Sequence, residues 1–155
     1  MRESETEVAA TFASDPLRLR EARRWLLGLV LAAGYPPGDA HDLAVAFSEV
    51  CANVHRHAYR GRRDGPVALR VVIDDERVVL TLEHEGEAFD PASYVAPDLE
   101  RPAESGYGMY LVASLADEVS FTRTPLGGRV VLIKHRRRPS VYAEASNLGG
   151  GNVAK

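Results

Sequence analysis

The chain has 155 residues, 45% hydrophobic and 26% charged, with 19 Lys and Arg against 22 Asp and Glu for a formal charge of −3. That length suits one globular domain with one core, and the single cysteine, Cys51, excludes an internal disulfide. The longest apolar stretch, Trp25 to Ala33, is interrupted by Gly28 and falls short of the roughly 18–20 residues that cross a bilayer, while balanced charge argues against a general electrostatic grip on nucleic acid.

The first residues, Met1 to Phe12, carry acids where a secretory signal needs a basic and then a long apolar stretch, so a reducing cytoplasm is expected. Glu7 to Ala13 reads as an edge strand. Ser14-Asp15-Pro16 follows, an acceptor side chain with proline at the first helical position, and marks a helix start. Ala22, Trp25, Leu26, Leu29, Val30 and Ala33 recur at helical spacing until Gly34 and Pro36-Pro37-Gly38 stop the helix. A second helix is predicted from Asp39 to Tyr59, with Leu43, Phe47, Val50, Cys51, Val54 and Ala58 on one stripe and Glu49, Asn53 and His57 in a row along its edge.

After a basic, turn-rich loop from Gly61 to Pro66, Val67–Asp74 and Val78–His84 read as a hairpin turning at Asp74-Asp75-Glu76. Glu85–Ser105 has three prolines, at 91, 97 and 102, and suits a mobile lid. Gly106–Ala116 reads as helix, and Glu118–Arg123 with Arg129–His135 as a second hairpin around Thr124–Gly128. Strand, two helices, hairpin, helix, hairpin predicts an α+β fold, a two-layer sandwich of mostly antiparallel sheet with helices on one face. The sequence from Pro139 on, with Gly149-Gly150-Gly151, suits a disordered tail. The basic clusters Arg18–Arg24, Arg56–Arg63 and His135–Arg138 read as solvated faces or strand ends.

Three constellations carry chemistry. Glu49 and Asn53, one helical turn apart, place a carboxylate and a carboxamide oxygen where they can share a hard cation and a hydroxyl; two surface residues of an amphipathic helix have the same spacing. His84-Glu85-Gly86-Glu87-Ala88-Phe89-Asp90 ends a strand in a loop whose Gly86 and Ala88 permit close approach of backbone to ligand. Ser105-Gly106-Tyr107-Gly108-Met109 opens a helix whose N–H groups can hold phosphate. Cys51 and His55, also one turn apart, lack any four-ligand zinc spacing with His41 or His57, and Cys51 lies on the apolar stripe as a buried structural thiol does.

Taken in order, the Glu49-x₃-Asn53 helix followed by His57-Ala58-Tyr59, the strand end at Gly86 with Phe89-Asp90-Pro91, Gly106-x-Gly108-Met109 and the closing Gly127-Gly128-Arg129-Val130 strand resemble the ATP-binding fold shared by gyrase, MutL, heat-shock chaperones and histidine kinases. Within it the chain is most similar to bacterial anti-sigma factors that are also serine protein kinases, over Leu17 to Lys134. The resemblance implies one ATPase-like domain over residues 1–138 with residues 139–155 as tail. It implies ATP and Mg²⁺ as cofactors, Glu49 as the general base for the attacking serine hydroxyl, and Asn53 as the Mg²⁺ ligand. Gly86 would let adenine and ribose approach the sheet end; Gly106 and Gly108 would bring backbone N–H groups to the phosphates; Tyr107 and Met109 would shape the pocket. His57, His84 and Ala88 complete the implied nucleotide site. The implied partners are a sigma factor, an anti-anti-sigma antagonist carrying the acceptor serine, and a second copy of the chain, with no direct nucleic-acid or membrane contact.

The sequence departs from the family at one position. Two residues before Gly86 the family has an aspartate that accepts a hydrogen bond from the adenine amine, and this chain has His84. A neutral imidazole offers one acceptor nitrogen, whereas a charged one would leave the amine unpaired at about 1–3 kcal/mol. That departure motivates the alternative of a non-catalytic module acting by protein binding alone. A free-standing histidine kinase fragment ranks below both, because only about 15 residues precede the first long helix, too few for long dimerisation helices bearing an acceptor histidine.

Overall fold

The computed structural model describes residues 5–90 and 107–137. The expected tail, most of the expected lid and Gly106 lie outside them. Strand β1 (Thr6–Ala13) leads into helices α1 (Pro16–Ala32) and α2 (Pro37–Asn53) and a π turn (Val54–Ala58). Then come β2 (Pro66–Ile73), β3 (Arg77–Glu85), α3 (Tyr107–Leu115), β4 (Glu118–Arg123) and β5 (Gly127–His135). The five strands form one antiparallel sheet in the order β1-β2-β3-β5-β4, the α+β architecture the element order predicts.

Local chemistry explains the boundaries. The Asp15 carboxylate caps α1 by accepting from Leu17 N at 2.8 Å, with Pro16 in the first turn. Gly34, at φ +86°, turns the chain out of that helix. The first hairpin turns on Asp74, whose Oδ1 accepts from Glu76 N at 2.8 Å and Arg77 N at 2.9 Å. In β2 and β3 alternate residues are buried, with Val67, Leu69, Val71, Val78, Leu80 and Leu82 facing the helices. They pack with Leu26 and Val30 of α1, Leu43, Phe47 and Val50 of α2 and Val112 of α3 in one core. Glu7–Arg70 and Glu83–Arg129, each paired at 2.7 Å, lie among exposed side chains of the sheet.

The second helix differs from its sequence pattern. It is α-helical only to Asn53 and continues as the π turn, with Tyr59 N donating to Val54 O at 3.0 Å. At about 100° per residue, Val54 and Tyr59 would point about 140° apart in an α-helix; the wider i→i+5 turn brings both toward the core, where they are buried.

The basic cluster near the C-terminal end is also more than a solvated strand end. Arg137 Nε lies 3.3 Å from the fully buried Asp39 carboxylate, its backbone N donates to Asp39 Oδ2 at 2.8 Å, and its Nη2 donates to Asp42 at 3.0 Å. Arg136 Nη2 donates to Gly34 O at 2.7 Å. The buried Lys134 donates to Leu115 O at 2.8 Å and pairs with Asp42 at 3.5 Å and Asp117 at 3.9 Å. These contacts tie the start of α2 and the end of α3 to the last strand.

Candidate nucleotide site

Where the π turn faces the end of β3 and the loop after it, a cavity of about 420 Å³ opens, lined by Asn53, His57, Ala58, His84, Ala88 and Phe89, with Arg56, Arg60, Glu87 and Asp90 also lining it. Four of the predicted site residues, Asn53, His57, His84 and Ala88, thus meet around one space. Asn53 is half-buried and His57 exposed, since the π turn breaks the straight row expected of an unbroken helix.

Among the described residues, His84 is the one buried polar side chain lining this cavity. Strand alternation turns it inward and leaves Glu83 and Glu85 exposed. Its Nδ1 is 2.7 Å from Glu85 O, and the Tyr59 ring meets it edge-on at 6.3 Å. Gly128, its partner on β5, makes room for the imidazole: a Cβ there would lie 2.7 Å from Nε2. The Tyr59 hydroxyl donates to Pro66 O at 2.5 Å and accepts from Glu85 N at 2.8 Å, joining the π turn to the strand ends. Burial pushes that hydroxyl up from its ordinary pKa. Tyr59 and Gly128 enter the sequence resemblance within His57-Ala58-Tyr59 and Gly127-Gly128-Arg129-Val130, but their contacts with Glu85 and His84 carry no spacing signal, because each partner is distant in the chain.

Glu49 is half-buried on α2 and lines a neighbouring groove of about 390 Å³ with Pro16, Leu19, Arg20, Arg23 and His55. Its carboxylate reaches the first turn of α3, where a Cβ on Gly108 would lie 2.9 Å from Oε2. Met109, one residue on, packs against the core and lines an apolar space with Phe89, Val112 and Phe121. Gly86, at φ +82°, lies against the π turn, and a Cβ there would collide with Ala58 O. Tyr107 opens α3. Cys51 is buried, which pushes its thiol pKa up and makes it an inert core residue.

The donors suit a small hard cation in one mode. Among the described residues no group of three His, Cys, Asp or Glu converges, while Asn53 offers one amide oxygen beside an open cavity. Mg²⁺ keeps most of its waters and takes substrate phosphate oxygens alongside one or two protein ligands, so the residues present fit it.

The family model described as histidine kinase-like ATPase domain matches residues 12–134, and the serine-protein kinase RsbW of Bacillus pumilus is 32% identical over 130 residues, covering 77% of this chain and 79% of its own. The chain belongs to the RsbW branch of the histidine kinase-like ATPase family. The Bacillus subtilis RsbW is 31% identical over 105 residues, 63% of this chain and 66% of that one. The Listeria monocytogenes RsbW is 24% identical over 150 residues, 92% and 95% of the two chains. A crystal structure of the RsbU and RsbW domains of a Mycobacterium tuberculosis protein superposes with a TM-score of 0.59 at 18% identity, covering 85% of this chain and 33% of that one, a likeness of fold. In this RsbW-type chain the matched region spans the three described α-helices and reaches into β5, and no described helix is long and apolar enough to cross a membrane.

Proposed function

We propose that the chain is a Mg·ATP-dependent protein serine kinase that sequesters a sigma factor and phosphorylates a serine of its anti-anti-sigma antagonist. The observation that carries the reading is the placement of the Glu49 carboxylate at the first turn of α3, one helical turn from Asn53 at the cavity. Phosphoryl transfer asks for positioning and charge neutralisation more than for covalent participation by the protein. When bound, Mg²⁺ would neutralise charge on the phosphate oxygens, and Asn53 is the residue that would hold it. The first-turn N–H groups of α3 at Gly108 would bind phosphate oxygens at the positive end of the helix dipole. Glu49 would take the proton of the incoming serine hydroxyl at its carboxylate. Action as a cytoplasmic homodimer completes the reading on the family resemblance, and light scattering of the purified protein tests the dimer.

Calorimetric titration with Mg·ATP, followed by transfer of labelled phosphate to a candidate antagonist, tests the proposal. Glu49→Gln is expected to abolish transfer and keep nucleotide binding; undiminished transfer removes Glu49 from its role, and absence of binding at millimolar ATP sinks the kinase. His84 in the aspartate position favours one alternative, a module that acts by protein binding alone, which that last outcome would support.

A further inference from the structure

Lys134 of β5 is a buried cation, its side chain only 3% exposed. Strand alternation turns it to the helix side of the sheet, on the same face as Val130 and Leu132. Its Nζ donates to Leu115 O at 2.8 Å and lies 3.5 Å from Asp42 Oδ2 and 3.9 Å from Asp117 Oδ1. Leu115 is the last residue of α3, where a carbonyl lacks a helical donor and a positive charge meets the negative end of the helix dipole. Asp42 lies on α2. One ammonium group therefore joins the end of α3 to the early part of α2.

The other end of α3 meets α2 as well, where a Cβ on Gly108 would fall 2.9 Å from Glu49 Oε2. The two helices thus run antiparallel, Asp42 and Leu115 bridged by Lys134 at one end and Glu49 against Gly108 at the other. The attachment points are seven residues apart on each helix, 42 to 49 on α2 and 108 to 115 on α3, which is about 10 Å along either axis. Equal spacings leave one register in which both contacts form. A slip of α3 by one residue, about 1.5 Å, breaks the Lys134 contact and moves Gly108 off the carboxylate.

Apolar packing does not set that register by itself. Among the described side chains of α3 Val112 alone is buried, with Met109 and Leu115 partly covered, and nine residues are too few for a helix to hold itself. Burial of apolar surface is non-directional and chooses the face that α3 turns inward, whereas a hydrogen bond from a buried donor fixes its place along the axis. Nor does core stability account for an ammonium here, because an apolar side chain of similar volume commonly does as well.

We propose that Lys134 is a positioning residue for phosphoryl transfer: it locks α3 in register against α2 and thereby sets the distance between the start of α3 and the Glu49 carboxylate. Lys134 lines neither the nucleotide cavity nor the groove beside Glu49; it acts through Leu115 and the helix that ends there. The role in transfer rests on the kinase reading above, whereas the hold on α3 is independent of it.

The test compares the intact chain with Lys134→Met, which keeps the reach of the side chain and removes its charge. In hydrogen exchange of the nucleotide-free protein the amides of α3 should exchange at least about tenfold faster, while those of β2 and β3 keep wild-type rates. Melting should stay within about 4 °C of the wild type. For transfer to a candidate antagonist, kcat should fall at least about tenfold, with affinity for Mg·ATP falling less, since the α2 and β3 walls of the cavity are untouched. Unchanged exchange in α3, or faster exchange spread evenly over helices and strands, overturns the hold on α3. Unchanged kcat beside a loosened α3 overturns the positioning role and leaves the kinase reading standing. Should Lys134→Met not fold, Asp42→Asn, which keeps the lysine and weakens its tie to α2, should move both readouts in the same direction, and wild-type exchange and transfer in that variant overturn the proposal. A wild type that transfers no phosphate removes the kinase reading and the role in transfer with it, while the exchange comparison still decides whether Lys134 holds α3.

Discussion

Glu49 on α2 and Gly108 on α3 meet so closely that a Cβ on the glycine would lie 2.9 Å from the carboxylate Oε2. The side chain absent at Gly108 is what lets the carboxylate sit at the helix start. Gly108→Ala should keep stability within about 1 kcal/mol, since alanine favours the helix and the carboxylate can swing aside. On the proposed kinase function, phosphoryl transfer should fall about 10- to 100-fold, because the proposed base would be displaced. Parallel melting and transfer assays check this, and transfer at the wild-type rate would refute the positioning argument.

Ser14 is fully buried at the β1–α1 junction, where its hydroxyl donates to Arg62 O at 2.6 Å and accepts from Gly65 N at 3.0 Å. Ser14→Ala leaves both loop groups short of a partner and is expected to lower stability by about 1–3 kcal/mol. Urea denaturation measures it; a loss below about 0.5 kcal/mol would mean that water replaces the hydroxyl.

Asp39 is fully buried, and its Oδ1 has Arg137 at ion-pair distance without a hydrogen bond of good geometry. Removing the cation strands the carboxylate, so Arg137→Ala should cost about 1–3 kcal/mol, the exposed guanidinium keeping the figure below that of a fully buried pair. Asp39→Asn in the Arg137→Ala background should recover part of that loss, and a double-mutant cycle with zero coupling would contradict the pairing.

Tyr35 donates to Asp74 O at 2.7 Å, and its hydroxyl is pushed up to about 12, first by burial and then by the Asp74 charge. An unfolded tyrosine titrates near about 10, so above that pH the unfolded chain releases a proton that the native state retains. Stability should hold below about pH 9 and fall as pH rises from about 10 through 12. The Tyr59 and Cys51 shifts have the same sign. Tyr35→Phe should flatten part of the fall in melting temperature between pH 9 and 11; parallel curves for the two proteins would assign the alkaline loss elsewhere.

Much of the fold is legible in local pattern. Asp15-Pro16 announces α1, the alternation Val67, Leu69, Val71 announces β2, and Asp74 announces its turn, because capping, pleat and Asx geometry act over a few residues. The end of α2 is not legible: the apolar stripe continues through Val54 and Ala58, and only the core decides that Val54 and Tyr59 must face inward together through a π turn.

The candidate site divides in the same way. The local pattern alone marks the candidate side chains, Glu49 and Asn53 on one helix, His84 and Ala88 at a strand end, and glycine at 108, since identity and short spacing are local properties. That Gly128 clears space for His84, that Tyr59 holds Glu85 N and that Arg137 reaches Asp39 emerge only from the packed fold. Each is a contact between residues far apart in the chain. Burial of a shared core sets such distances, and no local spacing encodes them.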